Sequence, residues 1–316
     1  MADAKGVPEL TRARAASQLL ADSKLRSPAD VVRHLLAVQA QDFPSFPLAL
    51  RARAKGLTLA DVHGALDSGE LVVSWLNRGT LHLVCREDYW WLHALTAPTT
   101  HAANARRLIE EGVTNAPKHV RAIKKALADG PLLRKTLGER IGLKAGALTH
   151  VLLAASLEGL IVRGPVHGRQ QTFVLAADHI GEPGKIDRDQ ALDELGRRYA
   201  AGHAPSTDGD LAYWARLPLR DVRGRMPQTR VRAARKLPAK LLPAFDPYIM
   251  GYKERSFAIP SSLNKRVIPG GGMFRAVVLI DGQVAGTWSR AGGRVAVDDS
   301  DAGLDREIAD VERFLG

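Results

Sequence analysis

The sequence is poor in cysteine, with Cys85 as the single one among 316 residues. A disulfide within the chain is therefore impossible, which is typical of a reducing compartment. No stretch approaches the ~18 consecutive apolar residues of a membrane span. The first six residues, Met-Ala-Asp-Ala-Lys-Gly, lack the apolar segment of a secretion signal. We therefore expect a cytoplasmic protein without a membrane partner.

The sequence also lacks the common motifs for metal ions and nucleotides. Its histidines are scattered, and no cysteine–histidine cluster has the spacing of a zinc site. Gly270-Gly271-Gly272 is not followed by the Lys-Ser or Lys-Thr of a phosphate-binding loop, so it predicts only a turn. We therefore expect neither a cofactor nor a metal ion.

Acidic residues are few relative to basic ones, and the formal net charge is +11. The excess is focused in the middle of the chain, where residues 216–240 hold nine Lys or Arg against Asp221 alone. Such a distribution favours a polyanionic partner, and the guanidinium group matches phosphate oxygens better than an ammonium group does. The alternative is that these side chains are simply solvated helix faces.

Length and composition are those of a globular protein with about two or three domains. Hydrophobic residues make up 45% of the chain and charged residues 25%, so disordered and fibrous classes are excluded. Helix-capping patterns predict helices from Ser27 to about Gln39 and from Thr58 to about Ser68. Two β-prone runs within residues 71–85 then indicate a hairpin. This order is typical of a winged-helix domain, which we assign to residues 1–100.

The same order recurs in residues 101–182. Helices are predicted over 131–141 and 145–158, each followed by a glycine, and short strands over 160–163 and 171–175. The segment between those strands is polar and basic. We therefore predict a second winged helix with a basic wing.

A third and weaker copy is predicted in residues 183–243, with helices over 211–216 and 219–226. The last segment, residues 244–316, has strand-like runs ending in a helix over 305–315 and predicts a small β-barrel. The expected fold class is thus α+β, with three tandem winged-helix domains followed by a C-terminal small β-barrel.

A winged helix usually binds duplex DNA, with one helix in the major groove and the wing on the backbone or minor groove. The helix over 145–158 is mostly Ala and Leu, so we expect it to pack against a neighbouring domain rather than to recognise bases. The wing is the better contact element, and it points to binding without sequence specificity. Its candidate DNA-binding residues are Arg163, His167, Arg169, Gln170 and Gln171.

Gln39 and Gln41 stand one residue apart, just before Asp42-Phe43-Pro44. On an extended backbone their side chains project in nearly the same direction. A carboxamide is no strong base, but it donates and accepts hydrogen bonds at once. Such a pair could hold a water and stabilise a developing positive charge, although glutamine pairs in loops are common without any such role.

Three residues near the start of the last segment form another candidate group. Asp246, Tyr248 and Tyr252 lie close together in the sequence and could line a cleft. Packing within the core is the alternative.

With these features placed, the chain resembles the AlkZ-like family of winged-helix DNA glycosylases over nearly its whole length. No single motif is specific, and the resemblance depends on their order. The motifs are Leu36–Asp42, Trp75–Val84, Gly164–Phe173, Ala204–Thr207, Ala244–Tyr248, Gly251–Ser256 and Phe274–Trp288.

The resemblance implies a glycosylase that removes purines alkylated at N7 or N3, including those in interstrand crosslinks, by hydrolysis of the N-glycosidic bond. The family signature of glutamine, apolar residue and glutamine matches Gln39-Ala40-Gln41, so these glutamines are the expected catalytic residues. Further DNA-binding residues are expected in the same motifs: Asp42, Arg78, His82, Tyr252 and Arg255.

The implied partner is double-stranded DNA with alkylated bases, bound by a monomer that is associated with the nucleoid when on DNA. Two alternatives remain open at this point. One is a non-enzymatic winged-helix DNA-binding protein, regulatory or architectural, which would bind DNA without releasing bases. The other is an interaction scaffold with weak affinity for DNA.

Overall fold

The computed structural model describes residues 6–291, 294–298 and 303–316. The α-helices in these ranges are α1 (Gly6–Ser17), α2 (Pro28–Leu35), α3 (Phe46–Arg51), α4 (Leu59–Asp67), α5 (Arg86–Thr96), α6 (Pro98–Glu110), α7 (Ala116–Ala126), α8 (Arg134–Ile141), α9 (Ala145–Leu157), α10 (Ala176–Ile180), α11 (Arg188–His203), α12 (Asp208–Ala215), α13 (Leu219–Val222), α14 (Pro247–Met250), α15 (Asn264–Val267) and α16 (Asp305–Leu315).

The strands are shorter and form two antiparallel sheets. They are β1 (Val38–Gln39), β2 (Leu71–Trp75), β3 (Leu81–Cys85), β4 (Leu132–Leu133), β5 (Ile161–His167), β6 (Gln170–Leu175), β7 (Lys240–Leu242), β8 (Val277–Ile280), β9 (Gln283–Ala291) and β10 (Arg294–Asp298). Single-turn 3₁₀ helices lie at Asn77–Gly79 and Ser261–Leu263.

Capping side chains fix where the first helices begin. The Ser27 side chain accepts from the Asp30 backbone N–H at the start of α2, and Thr58 forms a reciprocal capping box with Asp61 at the start of α4. The helix expected to reach Gln39 ends earlier, because Leu36 has a φ of 67°, which no α-helical residue adopts. Gln39 therefore lies on a strand rather than on a helix.

The first sheet has six strands in the order β1-β3-β2-β5-β6-β4. It joins the hairpins of the first two predicted domains, since β2 pairs with β5 through Val73 and Arg163. Packed against it, α9 buries Leu148, Val151 and Leu152 together with residues of α7 and α8. As expected, this apolar helix packs against the neighbouring first segment of the chain, where Ser156 Oγ lies 2.9 Å from Ser74 Oγ of β2.

The second sheet has four strands in the order β10-β9-β8-β7. Among the described residues its outer strands do not pair with each other, so the expected β-barrel is wrong: the sheet is open. The terminal helix α16 covers it, with Val311 and Phe314 in one core together with Leu241 and Val278. A packed helix, rather than closure of the sheet, buries its apolar face.

Residues 183–239 contain α11, α12 and α13 but no strand. The third predicted winged helix therefore lacks a hairpin, and the helix expected to extend to Met226 ends at Val222. Likewise, the helix predicted from Pro131 begins at Arg134, because Leu132 and Leu133 pair with β6 instead. The fold as a whole is a mixed α+β structure. None of its described helices combines the length and apolar character required to cross a bilayer.

Candidate functional site

The short strand β1 carries the first glutamine of the pair. Gln39 faces His82 in the antiparallel pairing of β1 with β3, and the Ala40 N–H donates to the Leu81 carbonyl at 2.8 Å. Gln41 follows directly and is exposed, whereas only 7% of the Gln39 surface is exposed. The two side chains thus lie against the same hairpin but differ in access to solvent.

Both carboxamide oxygens accept hydrogen bonds from that hairpin. Gln39 Oε1 accepts from Arg78 Nη2 at 2.9 Å, and Gln41 Oε1 accepts from the Leu81 N–H at 3.1 Å. A guanidinium group and a backbone N–H only donate, so oxygen rather than nitrogen must face them. Each carboxamide is thereby oriented with its oxygen toward the hairpin.

Arg78, the donor to Gln39, has an unusual backbone conformation. It sits in the turn between β2 and β3 with a φ of 57°, and its Nη1 donates to the Trp214 carbonyl at 3.0 Å. Burial lowers the pKa of Arg78, and the neighbouring Arg255 lowers it further, although an arginine stays charged. A partly desolvated cation therefore lies directly beside the first glutamine.

His82 is 1% exposed and faces the interior. Burial, helped by the charge of Arg78, lowers its pKa to about 3, so the imidazole is neutral. Its Nδ1 lies 3.0 Å from the Thr80 carbonyl and must donate to it. The direct DNA contact expected of His82 does not fit this position, because the fold leaves almost none of the ring accessible.

Asp42 is half-buried and accepts from Ser45 Oγ at 2.6 Å, while its carbonyl accepts from the Ser45 and Phe46 N–H groups. These bonds shape the turn that leads into α3. The side chain therefore has a structural role next to the glutamine pair, which is the alternative to DNA binding.

The wing separates into an embedded base and an exposed tip. The Arg163 guanidinium lies 4.0 Å from the centre of the Phe173 ring and 5.2 Å from that of Trp75, and burial lowers its pKa to about 10. Gln171 is half-buried. The tip residues expected to contact DNA and found exposed are His167, Arg169 and Gln170.

The wing tip lies close to the segment that follows the glutamine pair. Gly168 and Arg169 line a groove of about 310 Å³ together with Phe43 and Pro44. The fold therefore brings the tip next to residues only two or three positions beyond Gln41, from a distant part of the sequence.

Arg255 and Tyr252, the two C-terminal residues expected to bind DNA, differ in their access to solvent. Arg255 is half-buried, and its Nη2 donates to the Tyr213 hydroxyl at 2.7 Å. Tyr252 is fully buried under the guanidinium of Arg14, and burial raises its pKa. Tyr252 presents no surface to a ligand, so the DNA contact expected of it is not available in this fold.

The cleft expected around Asp246, Tyr248 and Tyr252 is also wrong, because all three side chains are at most 1% exposed. Asp246 instead forms a buried ion pair with Arg53 at 2.7 Å. Packing within the core, the alternative explanation, accounts for the group.

Sequence reasoning missed Tyr213 and Arg216, which belong to the end of α12. The Tyr213 ring lies near the guanidinium groups of Arg78 and Arg255, at 5.7 and 5.4 Å from its centre, and Arg216 Nη1 donates to the Arg78 carbonyl at 3.4 Å. Arg216 belongs to the basic stretch noted in the sequence, but nothing there indicated that α12 contacts the hairpin turn.

One cluster of possible metal ligands, Cys85, Glu87 and Asp88, has ligand atoms within 4.8 Å of one another. Burial raises the pKa of the Cys85 thiol to about 12, so it stays protonated, and Asp88 is paired with Arg198 at 2.9 Å. These groups are poorly suited to a cation.

The mixed α+β fold carries a carboxamide pair beside Arg78, whose guanidinium group forms no ion pair with a carboxylate among the described residues, an arrangement compatible with a nucleic-acid ligand. The sequence model described as DNA glycosylase AlkZ-like matches residues 32–314. The chain therefore belongs to the AlkZ-like family of DNA glycosylases, enzymes that hydrolyse N-glycosidic bonds.

A sequence match and a structural match show the extent of the similarity. The chain is 25% identical over 308 residues to an interstrand DNA cross-link repair glycosylase of Streptomyces sahachiroi, covering 83% of this chain and 82% of the relative. The solved structure of the Streptomyces sahachiroi DNA glycosylase AlkZ superposes with a TM-score of 0.79 at 21% identity, over 98% of this chain and 96% of that one. The structural likeness is one of fold.

Proposed function

We propose that this protein removes purines alkylated at N7 or N3 from double-stranded DNA, including purines in interstrand crosslinks, and that Gln39 and Gln41 are its catalytic residues. It acts as a monomer without a cofactor, in the cytoplasm and on the nucleoid. The observation that supports this best is the orientation of both carboxamides by one hairpin, with Arg78 donating to Gln39 at 2.9 Å. The name of the Streptomyces relative supports the crosslink substrate.

The chemistry suits carboxamides because the substrate needs little help from an acid. Alkylation at N7 or N3 gives the base a positive charge, so it leaves readily as a neutral base. What remains is to stabilise the cation that forms on the sugar and to align a water. In this proposal the free lone pairs of Gln39 and Gln41 face the cation and the water, and their oriented dipoles need no rearrangement during the reaction.

We further propose that residues 1–100 and 101–182 are winged helices whose hairpins share one sheet, and that residues 183–243 are a third, reduced copy. The helix–hairpin order of the first two segments supports this. The third copy is called reduced because residues 183–239 contain no strand. The wing tip at His167, Arg169 and Gln170 then contacts the duplex beside the glutamine pair.

The test is release of N7-methylguanine from methylated duplex DNA under single-turnover conditions. We expect Gln39→Ala and Gln41→Ala each to lower the rate by about 100-fold, the effect of removing one preorganised dipole. Binding of unmodified duplex should change little, since neither side chain is charged.

A matched control is Gln190→Ala, which removes an exposed glutamine from α11 and should leave the rate unchanged. Rates equal to wild type in both motif variants would remove the catalytic assignment. Binding without any base release by the wild-type protein would instead favour a non-enzymatic DNA-binding role.

A further inference from the structure

A cleft of about 620 Å³ is lined in part by Arg78, the residue that donates to Gln39. Its lining comes from the hairpin turn, the start of α6 and the end of α12. The lining residues are Arg78, Thr99, Ala212, Tyr213, Arg216, Leu217 and Pro218. Since Arg78 both lines this cleft and donates to Gln39, a ligand bound here contacts the residue that orients Gln39.

The charge of this cleft is uncompensated. Arg78 and Arg255 lie near the Tyr213 ring, and Arg216 donates to the Arg78 carbonyl. Within the described part of the chain, none of the three forms an ion pair with a carboxylate. Their hydrogen bonds go to neutral groups: the Gln39 oxygen, backbone carbonyls and the Tyr213 hydroxyl.

Nearby arginines differ in this respect. Arg188 and Arg225 form ion pairs at 2.9 and 2.7–2.8 Å, and Arg220 lies 3.6 Å from Asp221. Arg223, Arg230, Arg232 and Arg235 also form no ion pair among the described residues, but they are exposed. Arg78 and Arg255 differ because they are half-buried without a carboxylate partner.

Backbone conformation also sets these residues apart. Arg78 and Arg216 have φ values of 57° and 55°, in the left-handed region where glycine or asparagine is favoured over a long side chain. In both places the left-handed turn carries a guanidinium group, and Arg216 at the end of α12 lies exposed over the carbonyl of Arg78.

We infer that this cleft is a phosphodiester subsite that binds the phosphate adjoining the nucleotide whose glycosidic bond is hydrolysed. Guanidinium groups donate two parallel hydrogen bonds to phosphate oxygens, and a phosphate supplies the charge that the cleft lacks. A phosphate held by Arg216 and Arg78 would fix the adjoining sugar beside Gln39, because Arg78 also donates a hydrogen bond to the Gln39 oxygen. The inference rests on the proposed function for the identity of that nucleotide.

The experiment uses the full chain and duplex DNA that contains one tetrahydrofuran residue, a stable analogue of the abasic product. A set of duplexes replaces one phosphate at a time near this residue by an uncharged methylphosphonate. We expect one replacement next to the analogue to weaken binding by the wild-type protein about tenfold, the effect of a charge-assisted hydrogen bond. Arg216→Ala should weaken binding of the unmodified duplex by a similar factor and be insensitive to that replacement.

Two variants sharpen this result. Arg220→Ala, four residues along the chain and exposed, should keep the sensitivity of the wild type, and Arg216→Lys should recover part of it because the charge is retained. If Arg216→Ala binds as tightly as the wild type, or still loses affinity at every replaced phosphate, the subsite does not exist. Binding to this duplex requires no base release, so the outcome is separate from that of the glycosylase assay.

Discussion

At the scale of single residues, the side chains with the greatest effect on stability are charged groups enclosed in the protein. Arg53 is fully buried and donates to both oxygens of Asp246, at 2.7 and 2.8 Å, and to the side-chain and backbone oxygens of Gln18. Asp246 also accepts from the Tyr248 N–H at 2.8 Å. Every donor and acceptor of this pair is therefore matched within the interior, where water cannot replace a lost partner.

We predict that Asp246→Asn lowers the free energy of unfolding by about 3–5 kcal/mol, because it leaves the Arg53 charge buried without a counterion. Urea denaturation at neutral pH measures the change. The control is Asp22→Asn, which breaks an exposed ion pair with Lys55 at 3.2 Å and should cost at most about 1 kcal/mol. Similar losses in the two variants would contradict this account.

At the scale of elements, the wing of β5 and β6 is attached to α4 and leaves only its tip free. The Val166 N–H donates to Asp67 Oδ1 of α4 at 2.7 Å, and the pairing register shifts between Arg163 and Val166, as in a β-bulge. A bulge bends a strand and redirects it. The tip carrying Arg169 is therefore presented from a fixed base rather than from a mobile loop.

We predict that Arg169→Ala weakens binding to duplex DNA and lowers the slope of log affinity against log salt concentration by about 1, the contribution of one phosphate contact. Fluorescence anisotropy with a labelled duplex at several salt concentrations measures both. Arg197→Ala is the matched control, because Arg197 is paired with Glu194 at 2.6 Å on α11 and should leave the slope unchanged. An unchanged slope for Arg169→Ala would exclude the tip from the interface.

At the scale of the whole molecule, the net charge of +11 is unevenly neutralised. Acidic residues of α11 pair with Arg225, and Glu307 and Asp310 of α16 pair with Arg51. The arginines in contact with Tyr213, Arg78 and Arg255, have no such carboxylate partner among the described residues. Part of the uncompensated positive charge therefore lies beside Gln39, to which Arg78 donates.

For the complete protein we predict that affinity for a 25-base-pair duplex falls about 100-fold between 50 and 200 mM salt, as expected for about four phosphate contacts. A titration series at fixed pH provides the measurement. We expect the same result for duplexes of unrelated sequence, because the apolar helix α9 is packed in the interior and is not available to recognise bases. A change of less than about threefold would favour an interaction scaffold over a DNA-acting protein.

Much of the secondary structure followed from local signals. The capping residues Ser27 and Thr58, together with the alternation around residues 71–85, placed helices and a hairpin where the structure has them. The end of α2 could not be predicted from local signals, because it depends on the positive φ of Leu36, a residue buried in the core. The open second sheet could not be predicted either. Its apolar face is buried by α16, which packs on it, so the sheet need not close into a barrel.

By itself, the sequence determined the candidate glutamine pair, the basic wing and the excess of positive charge, because each is a matter of residue type and short spacing. Only the tertiary structure decided what surrounds the pair. Arg78 contacts the Trp214 carbonyl across 136 residues of sequence, and the wing contacts α4 across 99. Contacts over such separations depend on how whole elements pack, so they leave no local pattern, and these contacts determine which arginines remain unpaired beside Gln39.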